Sequence, residues 1–214
     1  QVCKECGSFY QNPRIFFEYD ENYRGKVVDP DGKNRDLKTE RDFKLKNWYG
    51  NTLNFVNSIS PGKILDVGSG LGFFLSAINS KWERYALEVS CYAINFMEEK
   101  YPEISVQLGI LENANYAENQ FDVIMFYHVI EHLENPKKEL NILHKMLKLN
   151  GVLIVGTPNI GSMAARFFQE NFRLFGPGHL CLFNPKSLNK ILMETGFKVF
   201  KREYPFWKTD YATA

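Results

Sequence analysis

Residues Ile64 to Phe74 read Ile-Leu-Asp-Val-Gly-Ser-Gly-Leu-Gly-Phe-Phe, an apolar run that leads directly into glycines at alternate positions. Ile64, Leu65 and Val67 suit a short parallel strand covered on both faces. Gly68, Gly70 and Gly72 allow a sharp turn and a close approach of backbone to a ligand. A helix following such a turn aims its first N–H groups over it, which favours a small ligand carrying an anionic group.

The rest of the chain repeats strand and helix. Helices are predicted over 73–79, 91–100, 136–150 and 184–194, and strands over 84–89, 104–108, 121–127, 152–157 and 197–204. This alternation predicts an α/β fold with a doubly wound, mostly parallel sheet and helices on both faces. One or two amphipathic helices over 37–58 should precede the first strand. Residues 1–36 read as an N-terminal arm, with a turn at Asp29-Pro30-Asp31-Gly32 and with Tyr19 and Tyr23 placed to close over a ligand or to pack on the domain. Residues 37–214 form the main domain. Within it, 159–183 read as an insertion capping the substrate, with a helix over 164–172. There Phe167, Phe168, Phe172 and Phe175 line an apolar pocket or cover the core.

Twenty-six basic against twenty-five acidic residues leave a formal charge of +1, so no overall field points to nucleic acid or a membrane surface. No leader-like segment opens the sequence, and no run approaches the roughly 20 apolar residues of a membrane helix. Four scattered cysteines make no disulfide framework, and the reading is cytoplasmic. Cys3-Lys-Glu-Cys6-Gly7 has the spacing of a zinc knuckle, which supplies half of a tetrahedral site. Its other ligands would come from upstream or from another chain; the alternative is two reduced thiols.

Spacing discriminates among cofactors that use glycine turns. The dinucleotide fingerprint wants a sixth-position glycine, and Phe73 stands there. A phosphate-cradling loop needs Gly-Lys followed by Ser or Thr, which is absent. Asp66-Val67-Gly68-Ser69-Gly70-Leu71-Gly72 instead resembles the first motif of the class I, seven-stranded S-adenosylmethionine-dependent methyltransferases, and the likeness extends from about Ile64 to Tyr204. Phe121-Asp122-Val123-Ile124 resembles that family's fourth-strand motif and Leu149 to Leu153 its fifth. The resemblance implies that Glu88, ending the second strand, accepts the ribose hydroxyls. From that cofactor's charges, the amides of the Gly68, Gly70 and Gly72 turn and the helix N-terminus suit the methionyl carboxylate, and Asp66 orients the turn or pairs with the ammonium through water, while Leu111, Tyr127 and His128 are assigned to complete the cofactor site. In relatives an Asp often stands where Ile110 stands here. The family's last antiparallel hairpin is only half evident, in 197–204.

His128-Val129-Ile130-Glu131-His132-Leu133, with His179-Leu180 and Phe183-Asn184-Pro185, resembles a subgroup that includes ubiquinone-type O-methyltransferases; some sugar methyltransferase relatives carry an N-terminal zinc module. The same run matches an inverted zinc-peptidase signature, but it follows a strand directly instead of lying on a helix. His128, Glu131 and His132 could supply a base, a substrate anchor or a Mg²⁺ site of the kind some relatives use, or simply hold their turn. His128 and His179 are the catalytic candidates. His144 is assigned no role. The expected activity is methyl transfer from S-adenosylmethionine to a small-molecule or saccharide acceptor. The alternatives are a non-catalytic binding module of the same fold and, third, an NAD-type oxidoreductase.

Overall fold

The computed structural model describes residues 1–14, 26–28, 34–168, 172, 174–175 and 178–204. In chain order its elements are β1 (Phe9–Tyr10), β2 (Lys26–Val28), β3 (Asn34–Asp36), α1 (Arg41–Asn47), α2 (Gly50–Ser58), β4 (Lys63–Val67), α3 (Phe73–Ala77), β5 (Glu83–Glu88), α4 (Cys91–Lys100), β6 (Ile104–Leu108), β7 (Phe121–Tyr127), α5 (Pro136–Met146), β8 (Leu147–Gly156), α6 (Met163–Phe168), β9 (Cys181–Leu182) and α7 (Pro185–Glu194). Short 3₁₀ turns lie at Leu37–Glu40, Leu111–Asn113 and Ile130–His132.

The central sheet has the order β6-β5-β4-β7-β8, and each neighbouring pair is parallel. Its two faces follow from alternation along the strands. Leu65, Val67, Leu87, Ile124 and Phe126 pack with Leu140 and Leu143 of α5 and Leu192 of α7. Ile64, Ala86, Val123 and Met125 pack on the other side with Val56 of α2, Phe74 and Leu75 of α3, and Ile94 and Met97 of α4. The doubly wound expectation therefore holds. Chain order reverses between β4 and β7, and in such sheets the crevice at the strands' carboxyl ends binds ligand.

Helix starts are capped by side chains. The Ser90 hydroxyl accepts the Ala93 N–H at 3.3 Å, and the Asn135 side chain accepts that of Lys138 at 3.1 Å. Asn184 accepts from Lys186 and Ser187 at the head of α7, and the Ser187 hydroxyl accepts the Asn184 N–H in return.

Two expectations are corrected. Residues 197–204 form no strand: Phe200 stacks toward Phe55 at 6.2 Å, and Glu203 and Arg202 bond Asn51 and Asn189, so side chains hold this segment in place of a ladder. β8 begins at Leu147, because Asn150 adopts a left-handed φ of 64° and the strand bulges between its pairings Phe121↔Leu147 and Val123↔Val152. Within the N-terminal arm, β2 and β3 pair antiparallel, while β1 pairs with β9, tying the first residues to the far end of the chain. Tyr19, Tyr23, Gly176 and Pro177 lie outside the described residues. Of the helix expected over 164–172, the described part is α6, Met163–Phe168.

Candidate functional site

Gly68, Gly70 and Gly72 all have positive φ, at 71°, 54° and 71°. A Cβ on Gly68 would stand 2.5 Å from Val129 Cγ2, and one on Gly72 would stand 2.7 Å from Met97 Sδ. Conformation and space both demand glycine there. Contrary to the expectation that these amides face the ligand, all three are bonded internally. Gly68 N–H donates to Leu87 O at 2.8 Å, Gly70 N–H to Glu88 Oε2 at 2.8 Å and Gly72 N–H to Ser69 O at 3.0 Å. Helix α3 has five residues, too few for its terminus to bind an anion by itself.

The acids give the turn its character. Glu88 ends β5 with Oε1 accepting the Val89 and Ser90 amides at 2.8 and 3.0 Å, while Oε2 holds Gly70. Asp66, on the neighbouring β4, is buried, and its carboxyl makes no hydrogen bond among the described residues. Burial, and then the nearby Glu88 charge, holds Asp66 well above the usual carboxylate range. Two acids closing on one turn favour a ligand with a cationic group.

At the end of β7, His128 adopts φ 55° and its N–H donates to Gly156 O at 2.8 Å. Its Nδ1 lies 3.0 Å from Oε1 of Glu131, whose Oε2 accepts the Thr157 hydroxyl at 3.0 Å. Glu131 is wholly buried. Burial works to raise its carboxyl, but the His128 hydrogen bond and the His128 and His132 charges outweigh that and lower it. The His128 ring lies 5.3 Å from Trp48 and 5.0 Å from Tyr127. Burial, then Glu131, pushes the Tyr127 phenol up to about 12, so it is protonated at neutral pH. His132 Nδ1 lies 2.7 Å from Gly178 O and His179 Nδ1 lies 2.6 Å from Leu174 O, with the two rings 4.7 Å apart. His144 packs on Phe197, away from this group.

Leu111 is buried in the core beside Val67 and Leu87, whereas Leu108 and Ile110 are half exposed at the end of β6. Phe167 is exposed and Phe172 buried, so the four insertion aromatics do not line one pocket. A crevice of about 1070 Å³ instead runs along the outer edge of β8, from His128, Thr157 and Asn159 to Phe200. Trp48 and Thr157 are the residues that reading the sequence missed. Thr157, directly after β8, occupies a strand's carboxyl end, and that position is the signal that could have found it.

Cys3 and Cys6 sit on a tight turn in which Gly7 N–H donates to Cys3 O at 2.9 Å and Gly7 has φ 72°. The Cys6 thiol lies 3.2 Å from the Ser8 hydroxyl. Among the described residues, the cluster of three potential metal ligands does not include either cysteine; it is Glu131, His132 and His179. Among them, too, no helix is long and apolar enough to cross a membrane.

The methyltransferase-domain family matches residues 44–201. A Mycolicibacterium smegmatis protein named as a probable S-adenosylmethionine-dependent methyltransferase is 25% identical over 137 residues, 64% of this chain and 52% of that one. The ubiquinone biosynthesis O-methyltransferase of Rickettsia bellii is 29% identical over 126 residues, 54% of this chain and 47% of that one. The chain thus spans about half the length of each. A solved S-adenosylmethionine-dependent methyltransferase from Thermotoga maritima shares the fold at TM-score 0.59 and 23% identity, covering 76% of this chain and 77% of that one.

Proposed function

The chain belongs to the methyltransferase-domain family, and from that premise we propose that it transfers a methyl group from S-adenosylmethionine to a hydroxyl or amine of a small-molecule or saccharide acceptor. The observation that carries this reading is the pair Asp66 and Glu88, closed around a turn of three positive-φ glycines at the end of β4 and β5. The cofactor has the matching chemistry: an ammonium and a sulfonium, a ribose diol, and a methyl group already bonded to an excellent leaving group.

Asp66 would take the cationic end, relieving a carboxyl that burial now disfavours as an anion. Glu88 already accepts three amides, two on Oε1 and one on Oε2, and the lone-pair position left on Oε2 suits a ribose hydroxyl. Leu111 and Tyr127 would border the adenosine, Leu111 through its backbone because its side chain is committed to the core. Alignment is then most of the protein's task, and well-oriented reactants can gain roughly 7–11 kcal/mol.

His128 is the candidate base. A hydrogen bond from Nδ1–H to buried Glu131 fixes the tautomer, so Nε2 is the nitrogen that would take the acceptor's proton. His179 stands on the same side, against His132, and would contact the acceptor or anchor what does. Following S-adenosylhomocysteine release over a panel of phenols, sugars and amines tests the activity. Turnover with some acceptor supports it; cofactor binding with no turnover on any of them favours the non-catalytic module.

The Cys3–Cys6 turn supports a subsidiary reading as half of a zinc site. Its closed Gly7 N–H to Cys3 O bond shapes the turn as metal knuckles require. Zinc content that falls on Cys3→Ser substitution tests it.

A further inference from the structure

We propose that Glu131, His132 and His179 bind one divalent transition-metal ion, of the zinc class, at the carboxyl end of β7. One ligand atom from each lies within 4.8 Å of the others. A zinc ion held at ~2.1 Å by three ligands places them ~3.4 Å apart, so the group needs to close by at most about 1.4 Å.

The hydrogen bonds around the two imidazoles set them up as ligands. Backbone carbonyls only accept, so His132 Nδ1, 2.7 Å from Gly178 O, and His179 Nδ1, 2.6 Å from Leu174 O, each carry the proton. A neutral imidazole so bonded carries its lone pair on Nε2. An imidazole whose other N–H is fixed on a carbonyl is the arrangement that orients metal-ligating histidines. Gly178 and His179 are adjacent, so one loop both orients the first imidazole and contributes the second.

The third donor is a carboxylate with no exposure to solvent. Its oxygens take His128 and Thr157, and an ionised carboxylate offers about four lone-pair positions, leaving capacity for an ion. Two imidazoles and one carboxylate do not suit Mg²⁺, which prefers oxygen ligands and its own water; they suit zinc, manganese or iron(II). This site differs in ion class and ligand set from the Mg²⁺ alternative that the sequence offered for His128, Glu131 and His132, with His179 entering from 47 residues downstream of His132. Three protein ligands leave a position for an oxygen or nitrogen of the acceptor. That last clause rests on the methyl-transfer reading, whereas ion binding does not.

The test uses protein carrying Cys3→Ser and Cys6→Ser, stripped with chelator and titrated with Co²⁺ by visible absorption and with Zn²⁺ by calorimetry. One ion per chain is expected, unchanged in His144→Ala and at least tenfold weaker in His179→Ala and His132→Ala. Circular dichroism melts confirm that each variant is folded; should His132→Ala unfold, His179→Ala decides. Absence of saturable binding, or affinity within twofold of the parent in folded His179→Ala, overturns the proposal. S-adenosylhomocysteine affinity measured on the same samples separates this outcome from failure of the methyltransferase reading.

Discussion

The Glu88 carboxylate accepts the Gly70 amide at 2.8 Å, making the acid that ends β5 and the middle glycine of the β4 turn a single unit. Each holds the other in position. The protein thus holds the shape of this turn by itself, and perturbing either partner should be felt at both.

Glu88→Gln removes the charge and presents an amide to Gly70 N–H on one side. Hydrogen bonds to charged groups are worth ~1.5–3 kcal/mol, so S-adenosylhomocysteine affinity should fall by about 10- to 100-fold. Calorimetric titration of the variant measures this, and an unchanged affinity places the ribose elsewhere.

Gly68→Ala meets two costs, a φ of 71° and Val129 Cγ2 at 2.5 Å. A destabilisation of about 2–4 kcal/mol is expected from adding left-handed strain to overpacking. Gly109 has φ 141° and nothing within 4 Å of where a Cβ would stand, so Gly109→Ala should cost less. In the double variant Gly68→Ala/Val129→Ala the contact is removed while the backbone strain stays, and urea unfolding should show partial recovery against Val129→Ala alone.

Asp66 supplies a pH signature. Its folded carboxyl is raised by burial and by Glu88, so its contribution to stability is full below the ordinary value of 3.8 and is lost as pH rises through the raised folded value. Thermal melts without cofactor should therefore show a declining component over that window, and Asp66→Asn should flatten it while weakening cofactor binding. Parallel pH profiles for parent and variant would count against the assignment.

Glu139 on α5 makes a similar prediction away from the site. Burial, then Glu112, raises its carboxyl to about 7, and one carboxylate oxygen is buried without a hydrogen-bond partner among the described residues. Stability from this group is full below about 4.5 and lost as pH rises through about 7. Glu139→Gln should stabilise the protein at pH 8 by about 1–2 kcal/mol, allowing for solvent relaxation of the ~1.4 kcal/mol per pKa unit, and should be neutral at pH 4. Urea unfolding at both pH values is the check.

The central strands and the glycine turn were legible because they are local. The almost wholly apolar and aromatic run from Phe121 to Tyr127 marks a strand covered on both faces, and a glycine at every second position from Gly68 announces a turn. The β1–β9 ladder was not legible, since Phe9 pairs with Leu182 through only two residues on each side and nothing in either short run marks its partner. Residues 197–204 misled for the opposite reason. Phe197 and Val199 alternate with charges as a strand would, yet contacts of Phe200, Arg202 and Glu203 to the helices decide the conformation. In the site, His128, His132 and His179 were each identifiable as residues. Their grouping, with the Gly178 carbonyl on His132 and Thr157 on Glu131, depends on loops brought together by the sheet.

The central claim is that Asp66, Glu88 and the glycine turn form an adenosyl-cofactor site. Isothermal titration of the folded protein with S-adenosylhomocysteine tests it most directly: saturable binding at one site per chain, lost in Gly70→Val, is the predicted result, and absence of saturable binding to the folded parent protein would contradict it.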